Sequence, residues 1–147
     1  MCPRDGGRAT GVTTLPPAGT PVGPLGFVQR ASAPGTATWE YDVKPEHFNP
    51  NGVLHGGVVM ALLDTAMGQA VAALVAPEGA FNASAQMNVH FLEPIRAGRI
   101  TARAEVRKCG KRLAVVEAEA TDEHGAVLAV ATATHAILRR KPEPSSS

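Results

Sequence analysis

Two periodicities divide the chain. Between Thr36 and Val43, Trp39, Tyr41 and Val43 alternate with Thr38, Glu40 and Asp42, which is the period of a strand with one buried face. A second β-rich run, Leu25 to Arg30, precedes it, and Pro34-Gly35 marks the turn between them. Further along, Met87, Val89 and Phe91 alternate with Gln86, Asn88 and His90. Ile100, Ala102, Ala104 and Val106 alternate with Thr101, Arg103, Glu105 and Arg107. Val116, Ala118 and Ala120 alternate with Glu117, Glu119 and Thr121. Asp122 to Gly125 reads as a hairpin turn, and Ala126 to Leu138 as a long last strand. The connections are short, so these strands are expected to be antiparallel. The middle of the chain follows another rule. From His55 to Val75 it is apolar nearly all round, and Pro77 and Gly79 close it, which predicts one buried helix. The expected architecture is α+β: a sheet of five or six antiparallel strands wrapped around one long helix, its other face and edges available to another subunit.

Residues 1–24 are rich in Gly, Pro and Thr and are expected to form a disordered tail; 139–147 should be loose as well, leaving one domain at 25–138. With 44% apolar and 18% charged residues, a 147-residue chain can fill a core. A net charge of +1 and 4% aromatic residues give no case for nucleic acid or an anionic membrane as partner. Cys2 and Cys109 are the only cysteines, and Cys2 lies in the presumed tail. The expectation is therefore no structural disulfide and a reducing, cytoplasmic setting. No basic stretch followed by an apolar one opens the chain, so no secretory signal is expected. Asp64 and Gln69 interrupt the apolar helix, which argues against a membrane span.

Asp64 is the only formally charged residue between His47 and Pro77. A carboxylate in an apolar helix needs a partner or a raised pKa, and such residues are kept for chemistry. Upstream, Gly56 and Gly57 start the helix, where backbone N–H groups lack internal partners and carry the positive end of the dipole. Without side chains these amides can meet a ligand oxygen, as an oxyanion hole requires. Eight residues separate Gly56 from Asp64, about 12 Å at 1.5 Å per residue. Reacting groups must lie within about 3 Å of one carbonyl. If both act on one substrate, they come from different subunits, and at least a homodimer with two composite sites is expected.

Asn49 is a candidate to orient a water or the carboxylate, although Asn-Pro is also a common start for a turn. His55 could steady the loop or a carbonyl, or serve the helix start alone. Ser84 is placed by strand period on one face with Gln86, Asn88 and His90, which could line a cleft or face solvent. His47, His124 and His135 show no ligand spacing, so no metal is expected. Neither a serine-hydrolase elbow nor a glycine-rich phosphate fingerprint occurs, and no cofactor is implied.

The run Asn49-Pro-Asn-Gly-Val-Leu-His-Gly-Gly-Val-Val-Met-Ala-Leu-Leu-Asp64 resembles the signature of hotdog-fold acyl-CoA thioesterases of the phenylacetate-degradation, 4-hydroxybenzoyl-CoA thioesterase-like type. Ser84 to Pro94 and Gly110-Lys-Arg112 are similar to that family too, so the likeness spans about 25–138. The resemblance implies a long helix wrapped by a curved antiparallel sheet, dimers that often pair into tetramers, and metal-free hydrolysis of a small aryl- or medium-chain acyl-CoA. It implies Asp64 as nucleophile or general base, the Gly56 amide polarising the thioester carbonyl, Asn49 and His55 positioning groups, and Ser84 helping to hold the attacking water. Gly57, Lys111 and Arg112 would contact substrate, the two basic residues at the coenzyme A phosphates together with Lys108 and the pair Arg139 and Arg140. Two other readings compete. A hotdog hydratase or dehydratase would need a His and an acid acting together, and His47-Phe48 only faintly resembles the dehydratase His-Phe-Pro. A non-catalytic acyl-CoA binding module would leave the ester intact and normally needs an output domain.

Overall fold

The computed structural model describes residues 16–141. Seven strands form one antiparallel sheet: β1 (Pro21–Val22), β2 (Phe27–Ala33), β3 (Thr36–Asp42), β4 (Ala80–Phe91), β5 (Arg99–Cys109), β6 (Leu113–Thr121) and β7 (Val127–Arg139). Their spatial order is β1-β2-β3-β5-β6-β7-β4. The chain leaves β3, runs through helix α1 (Gly56–Val75), lays β4 at the far edge and returns to place β5 beside β3. The sheet thus wraps the helix, as its sequence pattern predicted.

The strand count exceeds the expected five or six because β1 pairs with β2 inside the stretch taken for a tail; Pro21 lies opposite Val28 and Val22 opposite Phe27. The rest of that stretch up to residue 15, and residues 142–147, lie outside the described residues. Cys109 is not a free thiol, contrary to the expectation of no structural disulfide. Its one possible partner in the sequence, Cys2, is likewise outside the described residues.

Core volume is divided unequally. On β5, β6 and β7 the buried face is largely alanine: Ala102, Ala104, Ala114, Ala118, Ala120, Ala129, Ala131 and Ala133. The helix supplies the bulk with Leu62, Leu63, Met67, Val71 and Val75, all buried. Small residues on the sheet let the helix approach closely, so that interior gaps are filled from one side. Trp39, Tyr41 and Ile100 close the β3 and β5 end, with Phe27 edge-on to Tyr41 at 5.7 Å. By length and composition alone the helix could cross a membrane. Eight of its residues are buried against this sheet instead. It is not covered all round: Gly57 and Met60 are exposed, and Ala61, Asp64, Thr65 and Gly68 on the same side are half-buried.

Leu62 is fully buried in this packing, so a cavity at its position is costly. Leu62→Ala is expected to lower unfolding free energy by about 2–5 kcal/mol in urea titrations. An unchanged urea midpoint would contradict the packing described.

Candidate active site

The loop before α1 is held by its own asparagine. Asn49 Oδ1 accepts the Asn51 N–H at 2.9 Å and, more weakly, the Val53 N–H at 3.4 Å. The Asn49 N–H donates to the Val53 carbonyl at 2.8 Å, with Gly52 at positive φ, where a side chain would be strained. The Asn49 oxygen is therefore committed to the turn, and its Nδ2 is the group left to face a ligand. The loop's end is tied to the connection between β4 and β5 by Leu54 N–H to Ile95 O at 2.7 Å.

His55 caps the helix. Its Nδ1 accepts the Gly57 N–H at 2.9 Å, which satisfies one of the orphan donors of the first turn. The two glycines are thereby distinguished. Gly57 has its amide engaged, whereas no hydrogen bond among the described residues takes up the Gly56 amide. The reason for glycine at 56 is close approach: a Cβ there would lie 3.3 Å from the ring of Phe91 at the end of β4. Beside it opens a cavity of about 310 Å³, lined by Val53, Leu54, Val59, Phe91, Ile95 and Leu128 among others.

Asp64 is half-buried two turns further along, and its Oδ1 accepts a hydrogen bond from Ser84 Oγ at 2.5 Å. This contact exists because β4 carries a bulge. Ser84 lies opposite His135, but Gln86 lies opposite Thr134, so one residue is inserted and the strand parity flips. Ser84 does not share a face with Gln86, Asn88 and His90, as simple alternation had placed it. It faces the helix together with Met87 and Val89, whose partners Ala133 and Ala131 are buried.

Two residues that sequence reasoning left out of the site adjoin it. Asn82 Nδ2 donates to the Gly68 carbonyl on α1 at 3.1 Å, and its Oδ1 lies 2.8 Å from His135 Nδ1. Because the Asn82 amide nitrogen is spent on the helix, its oxygen is the acceptor, so His135 Nδ1 carries the proton. His135 is buried, and its Nε2 has no hydrogen-bond partner among the described residues. Burial pushes its pKa below the ordinary 6.5, with the charge of Asp64 pulling weakly the other way. The signal was present in the sequence: His135 continues the inward parity of Ala129, Ala131 and Ala133, so a histidine there had to be buried.

Lys111 and Arg112 occupy the tip of the β5–β6 hairpin, both exposed, closed by Gly110 N–H to Leu113 O at 2.8 Å. Arg139 pairs with Glu78 at 3.4 Å. The hairpin lies beyond Ser84 and away from Gly56, since Leu113 and Ala114 neighbour Ala136 and His135 on β7. Within one chain the site is thus in two parts. On β7, Phe91 sits opposite Ala129 and Ser84 opposite His135, six residues apart or about 20 Å along the strand. The helix rise separates Gly56 from Asp64 by about 12 Å.

With this geometry in view, residues 51–129 match the family model of the Thioesterase superfamily. The chain belongs to the thioesterase superfamily. Among curated proteins it is similar to human acyl-coenzyme A thioesterase 13, with 35% identity over 94 residues, covering 63% of this chain and 66% of that protein. It is also 30% identical to the 1,4-dihydroxy-2-naphthoyl-CoA hydrolase of Listeria monocytogenes over 107 residues, 73% of this chain and 86% of that one. Among solved structures, a thioesterase from Haemophilus influenzae superposes with a TM-score of 0.73 at 28% identity, covering 81% of this chain and 82% of that chain. This thioesterase accordingly has the hotdog arrangement of helix and curved sheet that the resemblance implied.

The buried neutral imidazole has a consequence for stability. Below about pH 6.5 the unfolded chain binds a proton at His135 that the folded chain resists, so stability is lost as pH falls through that region. The melting temperature is expected to drop between about pH 7 and pH 5, and His135→Phe is expected to flatten that drop. An identical slope in the variant, followed by calorimetry, would assign the acid sensitivity elsewhere.

Proposed function

We propose that this thioesterase hydrolyses a small aryl- or medium-chain acyl-CoA to the free acid and coenzyme A, at a site composed from two subunits. The observation that carries the reading is the half-buried Asp64 carboxylate with Ser84 Oγ on its Oδ1. Asp64 drives attack on the thioester carbon, either by taking a proton from water that Ser84 helps to hold, or by adding directly. As the carbonyl oxygen becomes an oxyanion, the Gly56 N–H at the positive end of α1 receives its charge; such a donor is typically worth about 3 kcal/mol. Collapse of the tetrahedral species expels the coenzyme A thiolate; on the first route this leaves the free acid, and on the second an Asp64–acyl anhydride, which water then hydrolyses to the free acid and the Asp64 carboxylate. Asn49 Nδ2 and His55 are assigned to positioning, Gly57 to the wall of the substrate path, and Lys111 and Arg112 to the phosphates. The cavity beside Gly56, apolar apart from Glu93 in its lining, has room for an acyl group.

The separation of Gly56 from Asp64 favours a partner helix bringing its own acid to this chain's amide. The half-buried stripe of Ala61, Asp64, Thr65 and Gly68 gives such a helix small residues to pack on, and β4 leaves a sheet edge open beside Ser84. A homodimer, or a tetramer of two dimers, is the proposed working form. Its catalytic body is the domain expected at 25–138, extended to Pro21 by β1, and cytoplasm is the proposed setting.

Asp64→Asn is expected to fold normally and to lose about 10²–10⁴-fold in kcat when thiol release from a panel of aryl- and alkyl-CoA esters is followed. Retained turnover would remove Asp64 from the mechanism; no thiol release from any ester by the unmutated protein would favour a binding module. The two-chain site has its own test. Asp64→Asn and Gly56→Val, each impaired alone, are expected to recover up to about half of normal turnover in hybrid dimers, because one of the two sites draws both groups from unmutated positions. Hybrids no better than either parent would place the site within one chain.

A further inference from the structure

The pair Asn82 and His135 is outside the roles assigned above, yet it lies against them. Ser84 and His135 are direct cross-strand partners, and Asn82 occupies the same inward face of β4 two residues earlier. Asn82 is the only other polar side chain of β4 that the described hydrogen bonds tie to α1. It reaches Gly68 one helical turn after Asp64, while Ser84 reaches Asp64 itself. The two contacts form successive rungs between the edge strand and the helix. As an edge strand β4 is hydrogen-bonded to a neighbour on one side only, so its side-chain contacts with α1 help to set its height over the helix.

Asn82 could not hold the Gly68 carbonyl in one orientation unaided. Its amide can turn over, exchanging donor for acceptor, and would then present an oxygen to a carbonyl. His135 Nδ1–H prevents this by donating to Asn82 Oδ1, and the imidazole is itself immobilised by burial. Its Cε1 lies 3.8 Å from where a Cβ on Gly68 would be, an ordinary van der Waals distance, so the ring packs against the helix at Gly68. The arrangement leaves Nε2 buried without a partner among the described residues, which carries a desolvation cost.

We propose that His135 is a positioning residue for hydrolysis: through Asn82 it fixes the rung at Gly68 and thereby the seat of Ser84 on Asp64. The inference rests on the thioesterase reading for its kinetic consequence but not for its structural one.

The test compares His135→Phe, which keeps a buried ring without a donor, with His135→Asn, whose amide nitrogen can reproduce the Nδ1–H. His135→Phe is expected to lose about 10- to 100-fold in kcat with KM nearly unchanged, as for a misplaced reacting group. His135→Asn is expected to restore most of that loss. Asn82→Ala is expected to match His135→Phe, and the double variant to be no worse than either single one, since both break one chain of contacts. A kcat for His135→Phe equal to that of the unmutated protein would overturn the proposal. So would equal losses in His135→Phe and His135→Asn, which would mark a merely structural ring. Should His135→Phe fail to fold, Asn82→Ala and its combination with His135→Asn decide the matter alone: a normal kcat in Asn82→Ala overturns it. Crystal structures of these variants give a readout independent of turnover. Ser84 Oγ is expected to leave Asp64 in Asn82→Ala, and its staying there refutes the inference. If the unmutated protein cleaves no thioester, the functional reading falls, while the position of Ser84 still decides this one.

Discussion

A carboxylate on the core helix of a small domain must be given a partner, or it will be neutralised or expelled. Much of the site follows from how Asp64 is accommodated. It sits on the side of α1 that the sheet covers least, and the strand that reaches it there is the edge strand β4. With regular alternation, a strand presenting Met87 and Val89 to the core would have turned Ser84 away. One extra residue after Ser84 reverses the parity and brings its hydroxyl onto Asp64. The bulge also makes β4 a poorer template for indiscriminate strand pairing, so one irregularity serves both the site and the solubility of the edge.

The legible and illegible parts of this molecule separate along physical lines. Period-2 alternation is a property of one strand and its neighbours, and it located β3, β5 and β6 to within a few residues. The helix was marked by its unbroken apolar run and by glycine and proline at its ends, and His55 emerged as the cap. What failed was inference across an irregularity. Nothing in Ala83-Ser84-Ala85-Gln86 states that one residue is surplus to the ladder, because that is decided by where β7 offers its partners. The Asn82–His135 contact spans 53 residues of sequence and suffered the same limitation. β1 was missed for another reason: two residues, one of them a proline, are too few to carry a period.

The two glycines show how structure sharpens a motif. As letters, Gly56 and Gly57 are equivalent donors at the start of a helix. In the fold the His55 imidazole takes the second amide, and the ring of Phe91 packs where a side chain on the first glycine would stand. A cap normally consumes the helix's capacity to bind an anion. Here it consumes one donor and steadies the turn that presents the other.

The separation of acid and amide along α1 also has a chemical logic. An aspartate within reach of its own helix N-terminus would act as a cap: its carboxylate would accept the free amides and be held there by the dipole. Both groups would then be satisfied by each other, and neither would be available to a thioester. Two turns of helix prevent that self-quenching, since about 12 Å cannot be bridged by an aspartate side chain. The amide can then meet an acid only when another copy of the helix supplies one. In the proposed dimer each acid is anchored by its own Ser84 at a set distance from the opposite amide, leaving a gap for the carbonyl instead of an ion–dipole contact. Assembly, on this argument, is what keeps the oxyanion donor and the base apart until substrate comes between them.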